Sequence, residues 1–229
     1  SGAWKSEPSS HETEWMKLAL PYLLISGAAL VQSNIDIVMT GALVNPEASG
    51  IYKAAVRISA LMSFALSSAN MIVAPLVSEL HTKGDLEKLQ QVVGWTALIG
   101  FLFTIVGAVV LILFGRFFVG LFGPEFVQGY PALVVLVAGE VTFTLAGPTG
   151  MLMTMTGHEW LASKAFGVGA VLNILLNFLL LPILGIIGAA VATSVATISW
   201  NAILAYAAIH RLDVNPTGLY LPLQAFRGS

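Results

Sequence analysis

The sequence predicts an all-α integral membrane protein, a six-transmembrane-helix bundle, on three observations. Apolar residues make up 57% of the 229 positions and charged residues only 10%, a balance far from that of a soluble domain. Those apolar residues fall in runs of about twenty or more, and at about 1.5 Å per helical residue such a run crosses about 30 Å of hydrocarbon. Between the runs lie short turns rich in turn formers and charge: Asn45-Pro46-Glu47, 81–85, Gly123-Pro124-Glu125, Gly157-His158-Glu159, and Pro182 with Gly185. Short connections make successive helices antiparallel neighbours.

The spans fall at 15–41, 49–80, 89–114, 128–156, 160–181 and 186–212. Residues 1–14 form a polar tail without the basic start of a signal peptide. The second span contains Pro75, a candidate kink. The stretch 116–122 is too short to cross and is expected as a helical turn lying at the interface. In the fourth span, Gly147 and Pro148 make the best hinge, since Pro removes a helical hydrogen bond and Gly tolerates the bend. Pro182 closes the fifth span. Residues 213–229 read as a tail or the start of a further span, because apolar residues resume at Leu219, Tyr220 and Leu221. Ser1 is no initiator Met, so a fragment of a longer chain is expected.

Lys and Arg set the orientation. Lys5, Lys17, Lys83, Lys88, Lys164, Arg211 and Arg227 lie on one side, and Lys53, Arg57 and Arg116 on the other. That bias puts both termini in the cytoplasm, as an even number of spans requires.

Polar side chains inside the spans carry the functional information, because each ionisable group costs about 2.5–3.5 kcal/mol at a helix centre and persists with a partner or a cavity. Asp36 and Arg57 lie at similar depths across the first hairpin and are expected to pair near its outer end. Lys53 sits one turn from Arg57. Two cations against one carboxylate leave a positive patch suited to a phosphate; the alternative is a structural ion pair with Lys53 snorkelling to the interface. Glu140 stands in the middle of the fourth span as a candidate for proton or ion coupling; the alternative is a protonated Glu hydrogen-bonded to a neighbouring helix. Stripes of Ser59, Ser63, Ser67 and Asn70, of Thr193, Thr197 and Asn201, and of Asn173 with Asn177 recur at helical spacing, the pattern of interhelical packing as well as of ligand sites.

Several function classes drop out. A net charge of −2 gives no basic footprint for nucleic acid. Absence of Cys removes disulfides and thiolate metal ligands. His11-Glu12 and His158-Glu159 lack the second His of a helical zinc motif, and no phosphate loop or nucleophile elbow is present. No cofactor is expected beyond a coupling proton or sodium ion.

Read in order, the segments resemble the C-terminal half of bacterial polysaccharide flippases of the multidrug/oligosaccharidyl-lipid/polysaccharide exporter superfamily. The matching pieces are Ser33-Asn34-Ile35-Asp36; Gly50-Ile51-Tyr52-Lys53-Ala54-Ala55-Val56-Arg57; Ala74-Pro75 with Glu79 and Lys83-Gly84-Asp85; Leu121-Phe122-Gly123-Pro124-Glu125-Phe126; Gly147-Pro148 through Thr156-Gly157-His158; Asn173, Asn177 and Pro182; and Gly188-Ala189-Ala190-Val191-Ala192-Thr193. The resemblance implies one lobe of a two-lobe, alternating-access transporter that exchanges a polyprenyl-pyrophosphate-linked oligosaccharide between leaflets of the bacterial inner membrane. It places Asn34, Asp36, Lys53, Arg57 and Asn70 on helices facing the cavity, with the cations meeting the pyrophosphate. The partners implied are the lipid-linked oligosaccharide, membrane lipids and a missing N-terminal lobe. Alternatives are a drug or lipid II exporter of the same superfamily and a membrane-embedded enzyme of envelope biosynthesis.

Overall fold

The computed structural model describes residues 11–220, with side chains from residue 19 onward. Among the described residues helices are joined by short turns and followed by a non-helical segment from residue 213, with no strand. Helix α1 (His11–Leu43) leads into α2 (Pro46–Ser59) through an N-cap: Asn45 is extended and its Oδ1 accepts the Ala48 amide at 2.6 Å. Pro46 fills the first turn, where its missing N–H costs nothing.

The second span is two helices. α2 stops at Ser59 and α3 (Phe64–Lys83) departs at 53°. The bend therefore falls at 60–63 and not at Pro75, which lies within α3. Side chains take up backbone carbonyls around the break: Ser59 donates to Val56 at 3.0 Å, Ser63 to Ala60 at 3.2 Å, and Thr104 of the following helix to Met62 at 3.2 Å. Inside a membrane such substitution is what permits an interrupted helix.

Helix α4 (Leu86–Gly120) is capped by Asp85, which accepts the Lys88 amide at 3.2 Å. Its 35 residues reach about 52 Å, more than the hydrocarbon thickness. It absorbs most of 116–122, the stretch expected as a separate interfacial turn. Tyr130 accounts for the continuation, because its hydroxyl donates to the Ile112 carbonyl at 2.7 Å and its ring lies 5.3 Å from the Arg116 guanidinium.

A 3-10 turn (Pro124–Gly129) then leads into α5 (Tyr130–Ala146), which breaks at Gly147-Pro148 before α6 (Thr149–Met155). Gly147 has φ +80, and the Pro216 carbonyl stands where a Cβ at Gly147 would go. Helices α7 (Glu159–Leu184) and α8 (Ile186–Leu212) are joined by Gly185 alone; α7 runs through Pro182, past its expected end. Residues 213–220 turn back onto the bundle. Gly218 donates its amide to the Leu145 carbonyl at 2.9 Å, one of the acceptors that the end of α5 leaves without a helical partner. Gln90 holds Asn215 reciprocally, donating to its carbonyl at 2.8 Å and accepting from its amide at 2.7 Å.

Among the described residues five stretches are long and apolar enough to span a membrane, and the bent α2–α3 pair makes six. The molecule is thus an all-helical, multi-pass membrane bundle. Its interior has two cores: Tyr52, Leu133, Leu181 and Ala189 pack α2, α5, the end of α7 and the start of α8, while Val77, Leu89, Leu152 and Leu204 pack the opposite end. Helices α5 and α8 meet closely because Gly139 has no side chain; a Cβ there would stand 2.5 Å from Ser194 Oγ.

Candidate functional site

The Thr193, Thr197 and Asn201 stripe of α8 organises the polar interior. Thr193 donates to Asp36 Oδ2 at 2.9 Å and accepts from Asn173 Nδ2 at 3.3 Å. Asn173 in turn takes part in the next turn of α7, where Asn177 donates to its carbonyl at 3.0 Å and to its Oδ1 at 3.2 Å. Thr197 lines a cavity of about 30 Å³ beside Glu140. Asn201 accepts from Thr149 at 2.7 Å and so anchors α6 beyond the break. One helix face therefore touches Asp36, the Glu140 cavity and the α5–α6 break.

Asp36 is buried, with 2% of its surface exposed. Tyr52 Oη donates to its Oδ2 at 2.7 Å, Thr193 to the same oxygen, and the Ile37 amide to Oδ1 at 3.0 Å. These donors take the place of the expected Arg57. Arg57 is exposed on the opposite side of α2 and makes no ion pair with Asp36. The physical reason is rotational: Tyr52 lies inside the bundle, so α2 turns Lys53 and Arg57 outward. Ser49 reinforces that setting by donating to the Ile37 carbonyl of α1 at 2.8 Å.

Lys53 and Arg57 do come together. With Phe122 and Phe126 they line a groove of about 340 Å³ between α2 and the start of the 3-10 turn. Two cations beside two aromatic rings can hold an anion whose attached group is apolar. Asn34 is exposed on α1 and bonds locally, to the Leu30 carbonyl and Ser33 Oγ, each at 2.9 Å. Asn70 lies elsewhere, at the Gly147-Pro148 break. The five residues expected in one cavity thus occupy separate places, and only Lys53 and Arg57 adjoin.

Glu140 is half-buried, with one carboxylate oxygen lacking a partner, and Ser63 at the head of α3 is its polar neighbour. Leu136, Gly139, Thr193, Ser194 and Thr197 complete its cavity. A space of that size takes a water or a small ion. Glu140 is consequently placed where α5, α8 and the broken span meet, and Thr193 adjoins both it and Asp36. Sequence reasoning missed Tyr52 and undervalued Thr193. Tyr52 sits beside Lys53, and only the rotation of α2 shows which of the two faces inward.

No protein-family model matches the sequence. In sequence the chain is similar to two proteins of Haloferax volcanii: the probable flippase AglR, 29% identical over 164 residues (70% of this chain, 34% of that protein), and the probable low-salt glycan biosynthesis flippase Agl15, 25% identical over 165 residues (72% and 35%). It spans about a third of the length of each. In fold it is similar to an outward-facing multidrug resistance MATE family transporter of the MOP superfamily, with TM-score 0.68 and 16% identity over 90% of this chain and 47% of the other. A MATE protein in the bent conformation gives TM-score 0.66 over 87% and 46%. The resemblance read from the sequence is thus met by similarity in sequence to parts of two proteins named as probable flippases, archaeal rather than bacterial, and by likeness in fold to about half of a MATE protein.

Proposed function

We propose that this chain is one lobe of a two-lobe flippase that moves a polyprenyl-pyrophosphate-linked oligosaccharide across the cytoplasmic membrane by alternating access. The observation that carries the reading is the Lys53–Arg57 groove with Phe122 and Phe126, joined to sequence similarity with proteins named as probable glycan flippases. The cations meet the pyrophosphate and the rings meet the apolar carrier. A second lobe supplies the other half of the pathway, in keeping with solved relatives about twice the length of this chain. Glu140 is the coupling group for a proton or sodium ion, and the Gly147-Pro148 break is the hinge. Both termini of the lobe face the cytoplasm.

A drug exporter shares this fold. Lys53 and Arg57 repel a cationic compound and attract an anionic one, which favours an anionic substrate. Enzymatic modification of a lipid-linked sugar has no support among relatives named as flippases and transporters.

The test is complementation. The full-length protein containing this chain is expressed in cells lacking their own flippase, and lipid-linked oligosaccharide on the outer leaflet is measured. Export by the wild type and loss in the Lys53→Gln, Arg57→Gln double variant are expected. Export that is unaffected by the double variant would remove the groove from the pathway, and chemical change of the sugar without relocation would point to an enzyme.

A further inference from the structure

Past the end of α8 the backbone re-enters the bundle. Residues 213–218 run back between α4 and the α5–α6 break, with Val214, Pro216 and Gly218 buried. Gly218 lies against α4 so closely that a Cβ there would stand 3.2 Å from both the Ala97 carbonyl oxygen and Phe101 Cβ. Those positions are 11 and 15 residues beyond Leu86, the first residue of α4, or about 17–22 Å along the helix.

Non-helical backbone persists at such depth only where protein satisfies its polar groups. Here every backbone donor from 214 to 218 is taken. Val214 donates to the Ala208 carbonyl at 3.4 Å, Asn215 to Gln90 Oε1 at 2.7 Å, Thr217 to Asn215 Oδ1 at 3.0 Å and Gly218 to the Leu145 carbonyl at 2.9 Å. Pro216 has no N–H to place. The segment is therefore a seated strap.

The seat is also the hinge. A helix continued from α5 into α6 would pair the Leu145 carbonyl with the Thr149 amide, four positions on. In the structure Gly218 holds that carbonyl, and Thr149 turns its amide to the Gly147 carbonyl at 2.8 Å. The Pro216 carbonyl meanwhile packs on Gly147, which is held at φ +80. The seated strap and a straightened α5–α6 compete for one acceptor and one space.

We infer that residues 213–218 are a latch: seated, they hold the α5–α6 break bent, and the hinge straightens only when they leave. The inference rests on the hinge assigned in the transport reading and is independent of the cargo.

Two measurements on the full-length protein in lipid nanodiscs test it. In the first, nitroxides at Ala138 of α5 and Thr154 of α6 report the distance across the break by double electron–electron resonance. Gly218→Pro removes the competing amide, and Gln90→Ala loosens the clasp without adding bulk, so it reports should Gly218→Pro fail to fold. Each is expected to raise a longer-distance population at least fivefold over wild type. A wild-type distribution in both would overturn the latch. In the second, Gln90→Cys with Asn215→Cys is bridged by a short bis-methanethiosulfonate. Export of lipid-linked oligosaccharide should fall at least tenfold and return on reduction with thiol; export undiminished by the bridge would also overturn the latch. Absence of export in the unmodified protein rejects the transport reading and leaves the distance measurement to decide the latch.

Discussion

Tyr52 donates its phenolic hydrogen to Asp36 Oδ2 at 2.7 Å and so fixes α2 against α1, with Thr193 binding the same oxygen from α8. Three helices converge on one carboxyl oxygen. The arrangement settles which face of α2 looks inward, and with it where the two cations stand.

Removing the Tyr52 hydroxyl should destabilise the fold. Tyr52→Phe is expected to cost about 1–3 kcal/mol, the usual cost of leaving a buried group without its partner. A double-mutant cycle of Asp36→Asn with Tyr52→Phe should show coupling above about 0.5 kcal/mol, whereas Asp36→Asn with Arg57→Gln should be additive within that margin. Unfolding in detergent micelles reads both cycles. Strong coupling between Asp36 and Arg57 would restore the ion pair that the sequence suggested.

At the groove, function and stability should separate. Lys53 and Arg57 are exposed, so replacing either by Gln should move stability by no more than about 0.5 kcal/mol. Export by the full-length protein should nevertheless fall at least tenfold in the double variant. Equal losses of folded protein and of transport would show the cations to be structural.

Glu140 should matter through its proton. Glu140→Gln keeps the shape of the side chain but removes titration, so the pH profile of export should flatten relative to wild type, with folded protein retained. A profile of unchanged shape would leave Glu140 a packing role beside Ser63 and Thr197.

Gly147→Ala should cost about 1–3 kcal/mol, because a Cβ is strained at φ +80 and would displace the Pro216 carbonyl. Gly167→Ala is the control, since a Cβ there meets nothing within 4 Å. Loss of the Gln90 clasp in Gln90→Ala should expose residues 213–218 to faster amide exchange. Wild-type exchange in that variant would show that the clasp does not hold the segment.

Much of the fold was legible in the sequence. Run length placed six spans within a few residues of the helices found, because a chain in lipid must satisfy its backbone within the helix and can do so only over long apolar stretches. Gly147-Pro148 was legible as a break for the same reason, since Pro148 removes a donor and Gly147 accepts the φ needed. Pro75 misled: Pro permits a bend, but the bend formed at 60–63, where Ser59, Ser63 and Thr104 could serve the freed carbonyls. Tyr130 likewise extended α4 through Arg116 by a contact fourteen positions away in the chain.

Composition and run length were enough to give the solvent of this protein and the list of polar side chains for which the fold must find partners. Composition and periodicity act through one helix at a time, so they carry that far. The tertiary structure alone decided which polar groups meet. Asp36 found Tyr52 and Thr193 instead of Arg57, Asn70 went to the helix break, and Lys53 and Arg57 turned out onto a groove. Those outcomes depend on the rotation of each helix about its own axis, which packing against its neighbours sets and which no single segment encodes.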